Sequence, residues 1–241
     1  MCSHYQAEKR RRQIEKRFGI TLPPNWEPPR GSIHLDIHPT YMAPIIRRPL
    51  EHSSGDDAVP DFEVVGGHFG MLARFAKDLA YSTTYRTYNA RTETVAELRT
   101  FKESWERARH CIVPCEAIYE PDWRTGEHVP TRFTAANDDT LGVAGIWAPW
   151  RNPATRQEEL TFAMLTVNAD DHPMFSLMHK PDRTRPPDQQ DKRMVVILPS
   201  ELYEAWLDAP AERSMDFVSQ YPAEKLRMVG EPIPKAQMRL F

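Results

Sequence analysis

The chain has 241 residues, of which 40% are hydrophobic and 27% charged, and its net charge is −3. This length and composition predict one globular domain with a buried core, and they exclude a polycation that would bind nucleic acid through its overall charge. No run of about 18 apolar residues occurs, and Lys9 to Arg12 interrupts the only leader-like stretch, so we expect a cytoplasmic protein without a membrane span. Three cysteines are too few for a disulfide framework and indicate a reducing compartment.

The chain opens with a cysteine at position 2, followed by the basic stretch EKRRRQIEKR at 8–17. Six lysines or arginines against two glutamates make this stretch the most basic part of the sequence. It predicts either the solvated face of a helix or a local basic surface.

Short runs rich in Val, Ile, Leu, Phe and Thr predict strands, and most are continuously apolar, which indicates a sheet buried on both faces. These runs are 62–66, 111–114, 141–147, 160–167 and 194–198. A capping box of Thr94 and Glu97 predicts a helix that runs to Ala108.

A second helix is predicted from Ser200, where Leu202 and Trp206 share one face. The polar segment 180–193 predicts an exposed loop. Because helices and strands do not alternate regularly, we predict a single α+β domain over 1–241 with a mostly antiparallel, barrel-like β-sheet core and flanking helices. Residues 219–241 are a C-terminal tail whose packing the sequence does not assign, and we expect a monomer.

Cys2 becomes chemically distinctive if the initiator methionine is removed, because an amino-terminal cysteine carries a free α-amine and a thiol on adjacent carbons. With ordinary pKa values of about 7.7 to 8.0 for the amine and about 8.5 for the thiol, both groups are usable nucleophiles near neutral pH. The amine condenses with an aldehyde to an imine, and the thiol then closes a five-membered thiazolidine ring. An unreactive surface thiol is the alternative.

Three further stretches suggest a site. Asn89 and Arg91 precede the predicted helix, where an amide and a planar guanidinium make a plausible phosphate seat or simply a polar loop. Glu116 follows a buried strand, where desolvation raises a carboxyl pKa and suits it to proton transfer. His179, at the edge of an apolar segment, is either a general acid or base or a partly exposed core histidine.

Zinc is a weak alternative near the same strand. Cys111 and Cys115, with His110 and His128 nearby, lack a second paired ligand set, and strand alternation places both thiols on one face of the core. We expect no metal and no organic cofactor.

These stretches together resemble the SOS response-associated peptidase (SRAP) family, whose members crosslink covalently to abasic sites in single-stranded DNA. The resemblance rests on motifs in the family's order over about four fifths of the chain. They are Met1-Cys2, Asn89-Ala90-Arg91-x-Glu93-Thr94, Cys115-Glu116-Ala117-Ile118-Tyr119-Glu120, and the His179 region with Arg193-Met194.

The resemblance implies that Cys2, freed of Met1 by autocatalytic cleavage, forms a thiazolidine with the aldehyde of an abasic deoxyribose in the DNA damage response. It implies that Asn89 holds the substrate, that Arg91 holds the adjacent phosphate, that Glu116 assists proton transfer, and that His179 acts as acid or base. The implied partner is single-stranded DNA with abasic sites, and the protein would be nucleoid-associated when bound to it.

The sequence departs from the family pattern at three positions that would contact DNA. His4 stands where the commoner start Cys-Gly-Arg has arginine, so that contact becomes weaker or pH dependent. Phe69 replaces the tryptophan of Trp-Gly-Leu-x-Pro and offers a smaller face for base stacking. An insertion separates His179 from Arg193, which puts the DNA-binding role of Arg193 in doubt.

Two other functions fit parts of the sequence. One is an amino-terminal-nucleophile cysteine amidohydrolase, in which the Cys2 thiolate attacks a small-molecule amide, although the sequence identifies no oxyanion hole. The other is a non-catalytic nucleic-acid-binding module that uses the basic stretch and the aromatics.

Overall fold

A computed structural model describes residues 2–22, 24–28 and 36–230. The strands are β1 (His4–Ala7), β2 (Asp36–Ile37), β3 (Met42–Arg47), β4 (Glu63–Phe69), β5 (Asn89–Arg91), β6 (His110–Asp122), β7 (Val129–Ala135), β8 (Leu141–Arg151), β9 (Glu158–Asn168), β10 (Arg193–Val195), β11 (Ile197–Leu198) and β12 (Leu226–Val229). The α-helices are α1 (Arg11–Phe18), α2 (Ala80–Thr84), α3 (Lys102–Glu106) and α4 (Tyr203–Asp208). Short 3₁₀ turns cover His52–Ser54, Phe175–Leu177, Ser200–Leu202, Ala211–Phe217 and Ala223–Lys225.

Five strands close into a barrel, in the order β3, β4, β9, β8 and β6, with β6 returning to β3 through the pair Ile112 and Ile46. All neighbours in this ring are antiparallel except β4 and β9, which run parallel. The single α+β domain with a mostly antiparallel barrel is therefore confirmed.

The predicted two-sided burial follows from the alternation of side chains along the barrel strands. Cys111, Val143 and Met164 belong to one apolar cluster, and their neighbours Ile112, Ala144 and Leu165 belong to a second. The first cluster also contains Cys2, whereas the second contains side chains of α1, α3 and α4. We therefore place the first cluster inside the barrel and the second between the barrel and the helices.

All five predicted strand runs are confirmed, and the last is divided between β10 and β11. The helix predicted from Thr94 is wrong over most of its length, because 92–101 forms a series of turns and only α3 is helical. Val95, Phe101 and Trp105 are buried against the barrel while Leu98 is exposed, so tertiary burial overrides the helical spacing. The helix predicted from Ser200 is confirmed as a 3₁₀ turn followed by α4.

The basic stretch at 8–17 forms most of α1, which buries Ile14 and Phe18 and ends at Gly19 in the left-handed conformation. Two arginines of this helix form ion pairs within the chain. Arg11 pairs with Glu15, and Arg17 pairs with Asp139 at 3.2 Å.

The structure describes the predicted C-terminal tail, 219–241, only as far as residue 230. Up to there the chain packs, because β12 pairs with β7 and buries Leu226, while 231–241 lies outside the described residues. In the part of the chain that the structure describes, no helix is long and apolar enough to cross a membrane.

Candidate active site

Cys2 lies just before β1, which pairs with β6 inside the sheet, and its side chain is fully buried. The thiol donates a hydrogen bond to the His4 carbonyl at 3.4 Å. The Cys2 carbonyl accepts a bond from the Asn89 side-chain amide at 2.6 Å. Cys2 is therefore held in a defined position beside β5 and β6.

Asn89 reaches Cys2 because β5 runs parallel to β9 and places Asn89 opposite Met164. The Asn89 side chain is 4% exposed, and its Oδ1 is buried without a hydrogen-bond partner among the described residues. A buried acceptor without a partner is costly, so this oxygen is suited to accept a hydrogen bond from a ligand.

A β-bulge decides which carboxylate of β6 faces Cys2. Gln6 pairs with Ala117 and Ala7 pairs with Cys115, so the register skips Glu116. An extra residue in one strand reverses the alternation of side chains beyond it. Cys111, Val113 and Cys115 face the interior before the bulge, and Ile118, Glu120 and Asp122 are buried after it.

Glu120 therefore occupies the site predicted for Glu116. Its carboxylate is 1% exposed and lies 3.0 Å from the His179 Nε2. Glu116 instead pairs with Arg10 at 3.0 Å, and Arg10 also holds the fully buried Glu8. The structure does not bring Glu116 to Cys2, because the bulge turns it away. The sequence does contain a second glutamate, Glu120, four residues after Glu116. A regular strand places residues four apart on the same face, so the sequence alone could not tell which of the two glutamates faces Cys2.

His179 is held by its backbone as well as by Glu120. It adopts a left-handed conformation with φ 62°, and its amide donates to the Pro121 carbonyl at 2.6 Å. Lys192 donates from Nζ to the carbonyls of Met178 at 2.6 Å and His179 at 2.7 Å. Lys192 thus fixes a strained backbone beside the site, and sequence reasoning missed it because it lies in the segment predicted to be an exposed loop. Residues 181–189 of that segment are exposed, whereas Lys192 and Arg193 are buried.

The site contains a charged carboxylate next to a neutral thiol. Burial acts to raise the pKa of Glu120, but the positive charge of the chain's amino terminus and the interaction with His179 lower that pKa below its ordinary value. Burial, followed by the negative charge of Glu120, raises the pKa of the Cys2 thiol well above its ordinary value. The thiol is consequently protonated at neutral pH, and Glu120 is ionised.

Arg91 and Arg193 flank this site in different ways. Arg91 pairs with Asp191 at 2.8 Å, but its side chain is partly exposed and keeps access to solvent. Arg193 is 3% exposed, and its guanidinium donates to both carboxylate oxygens of Glu93 and to the Thr166 carbonyl. The structure contradicts a direct DNA contact by Arg193, because these buried bonds would have to break first.

Phe69 is also unavailable to DNA. It is fully buried and packs against the rings of Tyr5, Tyr88 and Phe162, with centroids 5.2 to 5.7 Å away. The predicted base-stacking role is wrong, because the end of β4 turns this side chain into the barrel. His4 is partly exposed, stacks on Tyr119 at 4.1 Å and pairs with Asp36 at 2.9 Å.

The cysteines and histidines considered for zinc do not converge. Cys111 and Cys115 are buried in the apolar cluster inside the barrel, and His110 contacts the Ser214 hydroxyl at 2.8 Å. Across residues 2–22, 24–28 and 36–230, no three His, Cys, Asp or Glu side chains are arranged to hold a metal ion.

The fold and the site define a protein with a closed mixed barrel and a buried cysteine near its amino terminus, whose carbonyl is bonded by an amide and whose thiol is influenced by a carboxylate that pairs with an imidazole. A family model described as SOS response associated peptidase (SRAP) matches residues 1–235. The chain belongs to this family.

Solved structures show the same fold. A protein from Bordetella bronchiseptica is 40% identical, with a TM-score of 0.80 and coverage of 96% of this chain and 100% of that chain. A protein from Bacteroides thetaiotaomicron is 20% identical, with a TM-score of 0.67 and coverage of 94% and 90%, respectively. A phage-related protein from Bordetella bronchiseptica is 17% identical, with a TM-score of 0.62 and coverage of 94% and 92%. None of the curated proteins compared with this chain matches it.

Proposed function

We propose that this protein recognises abasic sites in single-stranded DNA and crosslinks to them through Cys2 after removing its own Met1. The observation that carries the proposal is that Asn89 bonds the Cys2 carbonyl while Glu120, paired with His179, acts on the Cys2 thiol. Residues of these types hold an aldehyde sugar and move its protons.

The first step is hydrolysis of the Met1–Cys2 peptide bond, in which water adds and the α-amine of Cys2 is released. This self-cleavage agrees with the peptidase in the family's name. In this proposal Glu120 and His179, which lie 3.0 Å apart, transfer the protons of this step.

The second step is addition of that amine to the aldehyde carbon of the open-chain deoxyribose. Loss of one water gives an imine, and the thiol sulfur then adds to the same carbon while the thiol proton passes to nitrogen. The product is a thiazolidine, and the net change is one water released. Because the thiol pKa is raised, the amine attacks before the thiol.

The same raised pKa argues against an amidohydrolase. Such an enzyme needs the thiolate as nucleophile, and burial beside Glu120 disfavours that form. The protein would instead act as a monomer in the cytoplasm on DNA strands, with the partly exposed Arg91 two residues from Asn89 as a phosphate contact.

The test is incubation with a single-stranded oligonucleotide that carries one abasic site, followed by a denaturing gel and intact mass spectrometry. We expect an adduct with the wild type, a chain that lacks Met1, and no adduct with Cys2→Ala. Cys111→Ala is the matched control, since that thiol is buried in the same apolar cluster. Equal adducts from wild type and Cys2→Ala would remove the proposal.

A further inference from the structure

A ladder of three aromatic rings, two exposed and the middle one partly buried, lies on the chain segment that precedes Asn89. Phe75 is 56% exposed and Tyr85 is 66% exposed. Tyr81 lies between them, with its ring 5.9 Å from that of Phe75 and 4.6 Å from that of Tyr85. Large apolar rings left in water are costly, and a row of them is typical of a surface that binds something flat.

The Phe75 end of the ladder opens into a cavity of about 430 Å³. Its lining includes four arginines and two glutamates, an excess of two positive charges on a chain whose net charge is −3. These charged residues are Arg74, Arg99, Arg109, Arg151, Glu103 and Glu158. The Arg99 guanidinium lies 4.8 Å from the centre of the Phe75 ring, so cation and ring are presented together.

The cations of this cavity are poorly neutralised. The Glu103 carboxylate is shared by Arg107 at 3.4 Å, Arg109 at 3.5 Å and Arg74 at 4.0 Å. Burial first, and then the like charges of Arg107 and Arg74, hold the pKa of Arg109 below its ordinary value. An anion bound here relieves repulsion among the four guanidinium groups of the lining, which Glu103 and Glu158 balance only in part.

The other end of the ladder leads to the Cys2 site. Only Thr87 separates Tyr85 and Arg86 from Tyr88 and Asn89. Tyr88 is half-buried; burial raises its pKa, the charge of Arg86 lowers it, and the negative charge of Glu120 raises it. The segment 85–89 therefore joins the aromatic ladder to the buried site.

We infer that Phe75, Tyr81 and Tyr85, with Arg74, Arg99 and Arg151, form a tract that binds the single strand flanking the lesion, bases on the rings and phosphates on the guanidinium groups. This inference rests on the proposed function and adds to it the path of the strand beyond Cys2. The charge excess selects a polyanion, and the spaced rings select one that carries bases. The tract also supplies the stacking surface that the buried Phe69 does not.

The experiment measures fluorescence anisotropy of undamaged oligothymidine, so that binding is read without Cys2 chemistry. For a strand of about 20 nucleotides, Tyr85→Ala and Arg99→Ala each weaken binding about tenfold, and Arg99→Ala reduces the slope of log affinity against log salt by about one. A strand of about 4 nucleotides is too short to reach from the Cys2 site along the whole aromatic tract. The two substitutions therefore weaken the binding of such short strands less than the binding of the long strand. Arg213→Ala is the matched control, because Arg213 is exposed, pairs with Asp216 and lies outside the cavity lining.

Thermal melting verifies that each variant is folded. The inference is overturned if both tract variants bind the long strand as tightly as the wild type and Arg213→Ala. It is also overturned if thymidine monophosphate binds as tightly as the long strand and without dependence on Tyr85, since the cavity would then be a site for a free nucleotide. If no Cys2-dependent adduct forms but tract variants still lose affinity for undamaged strands, the proposed chemistry fails and the tract stands.

Discussion

Glu120 and Glu116 lie four residues apart on β6, and replacing each in turn by glutamine tests the assignment made from the bulge. Glu120→Gln keeps the size of the side chain and removes a buried charge that lies 3.0 Å from His179 and acts on the Cys2 thiol. Glu116→Gln removes a charge that pairs with Arg10, whose side chain is 61% exposed. The two changes are chemically identical and differ only in where the fold places them.

The expected sizes differ widely. A positioned general acid or base contributes about 10² to 10⁴ in rate, so we expect Glu120→Gln to slow crosslinking by about that factor. A surface ion pair contributes about 0 to 1 kcal/mol to stability, so we expect Glu116→Gln to leave the crosslinking rate within about twofold of wild type. The structure thus predicts a ratio of about 100 or more between two conservative substitutions on one strand.

The assay follows the adduct over time on a denaturing gel with excess protein and one abasic oligonucleotide. Intact mass spectrometry of each variant reports whether Met1 has been removed, which separates failure of cleavage from failure of crosslinking. A second measurement follows alkylation of Cys2 against pH. Because Glu120 raises the thiol pKa, Glu120→Gln brings that pKa down and moves the alkylation profile to lower pH, whereas Glu116→Gln leaves it in place. A larger loss of rate in Glu116→Gln than in Glu120→Gln would refute the assignment.

Three further predictions concern residues around the site. Phe69→Ala opens a cavity in the barrel, and we expect it to lower the free energy of unfolding by about 3 to 5 kcal/mol in urea titrations, whereas a stacking residue would leave stability unchanged. Arg193→Gln leaves Glu93 unpaired, and we expect a lower melting temperature with an unchanged salt dependence of DNA binding; a shallower salt slope would instead restore Arg193 as a phosphate contact. Burial lowers the pKa of His110 to about 4 in the folded chain. Between pH ~6.5 and ~4, His110 is therefore protonated in the unfolded chain but neutral in the folded chain. We expect stability to fall by about 3 kcal/mol as pH drops from ~6.5 to ~4, and this part of the loss to be absent in His110→Gln; equal pH profiles for both proteins would contradict it.

Much of the architecture follows from local patterns. The apolar runs predicted four of the five barrel strands, β4, β6, β8 and β9, and also β10 and β11, because a strand buried on both faces must be apolar along its whole length. The pair Met1-Cys2 and the polar stretch at Asn89 indicated the site, because a terminal cysteine and an asparagine after a turn carry their chemistry in their residue types. The family was predicted from motif order and is confirmed by the match over 1–235.

The tertiary structure decided which of these residues meet. A bulge in β6, visible only in the pairing with β1, turned Glu120 toward Cys2 and Glu116 toward Arg10. Phe69 and Arg193 are buried by the packing of the whole barrel and are not available to contact DNA. The same packing buries Lys192, which donates a hydrogen bond to the carbonyl of His179. Residue type is local, but the direction of a side chain depends on register and packing against strands far away in sequence, and no reading of neighbouring residues contains that information.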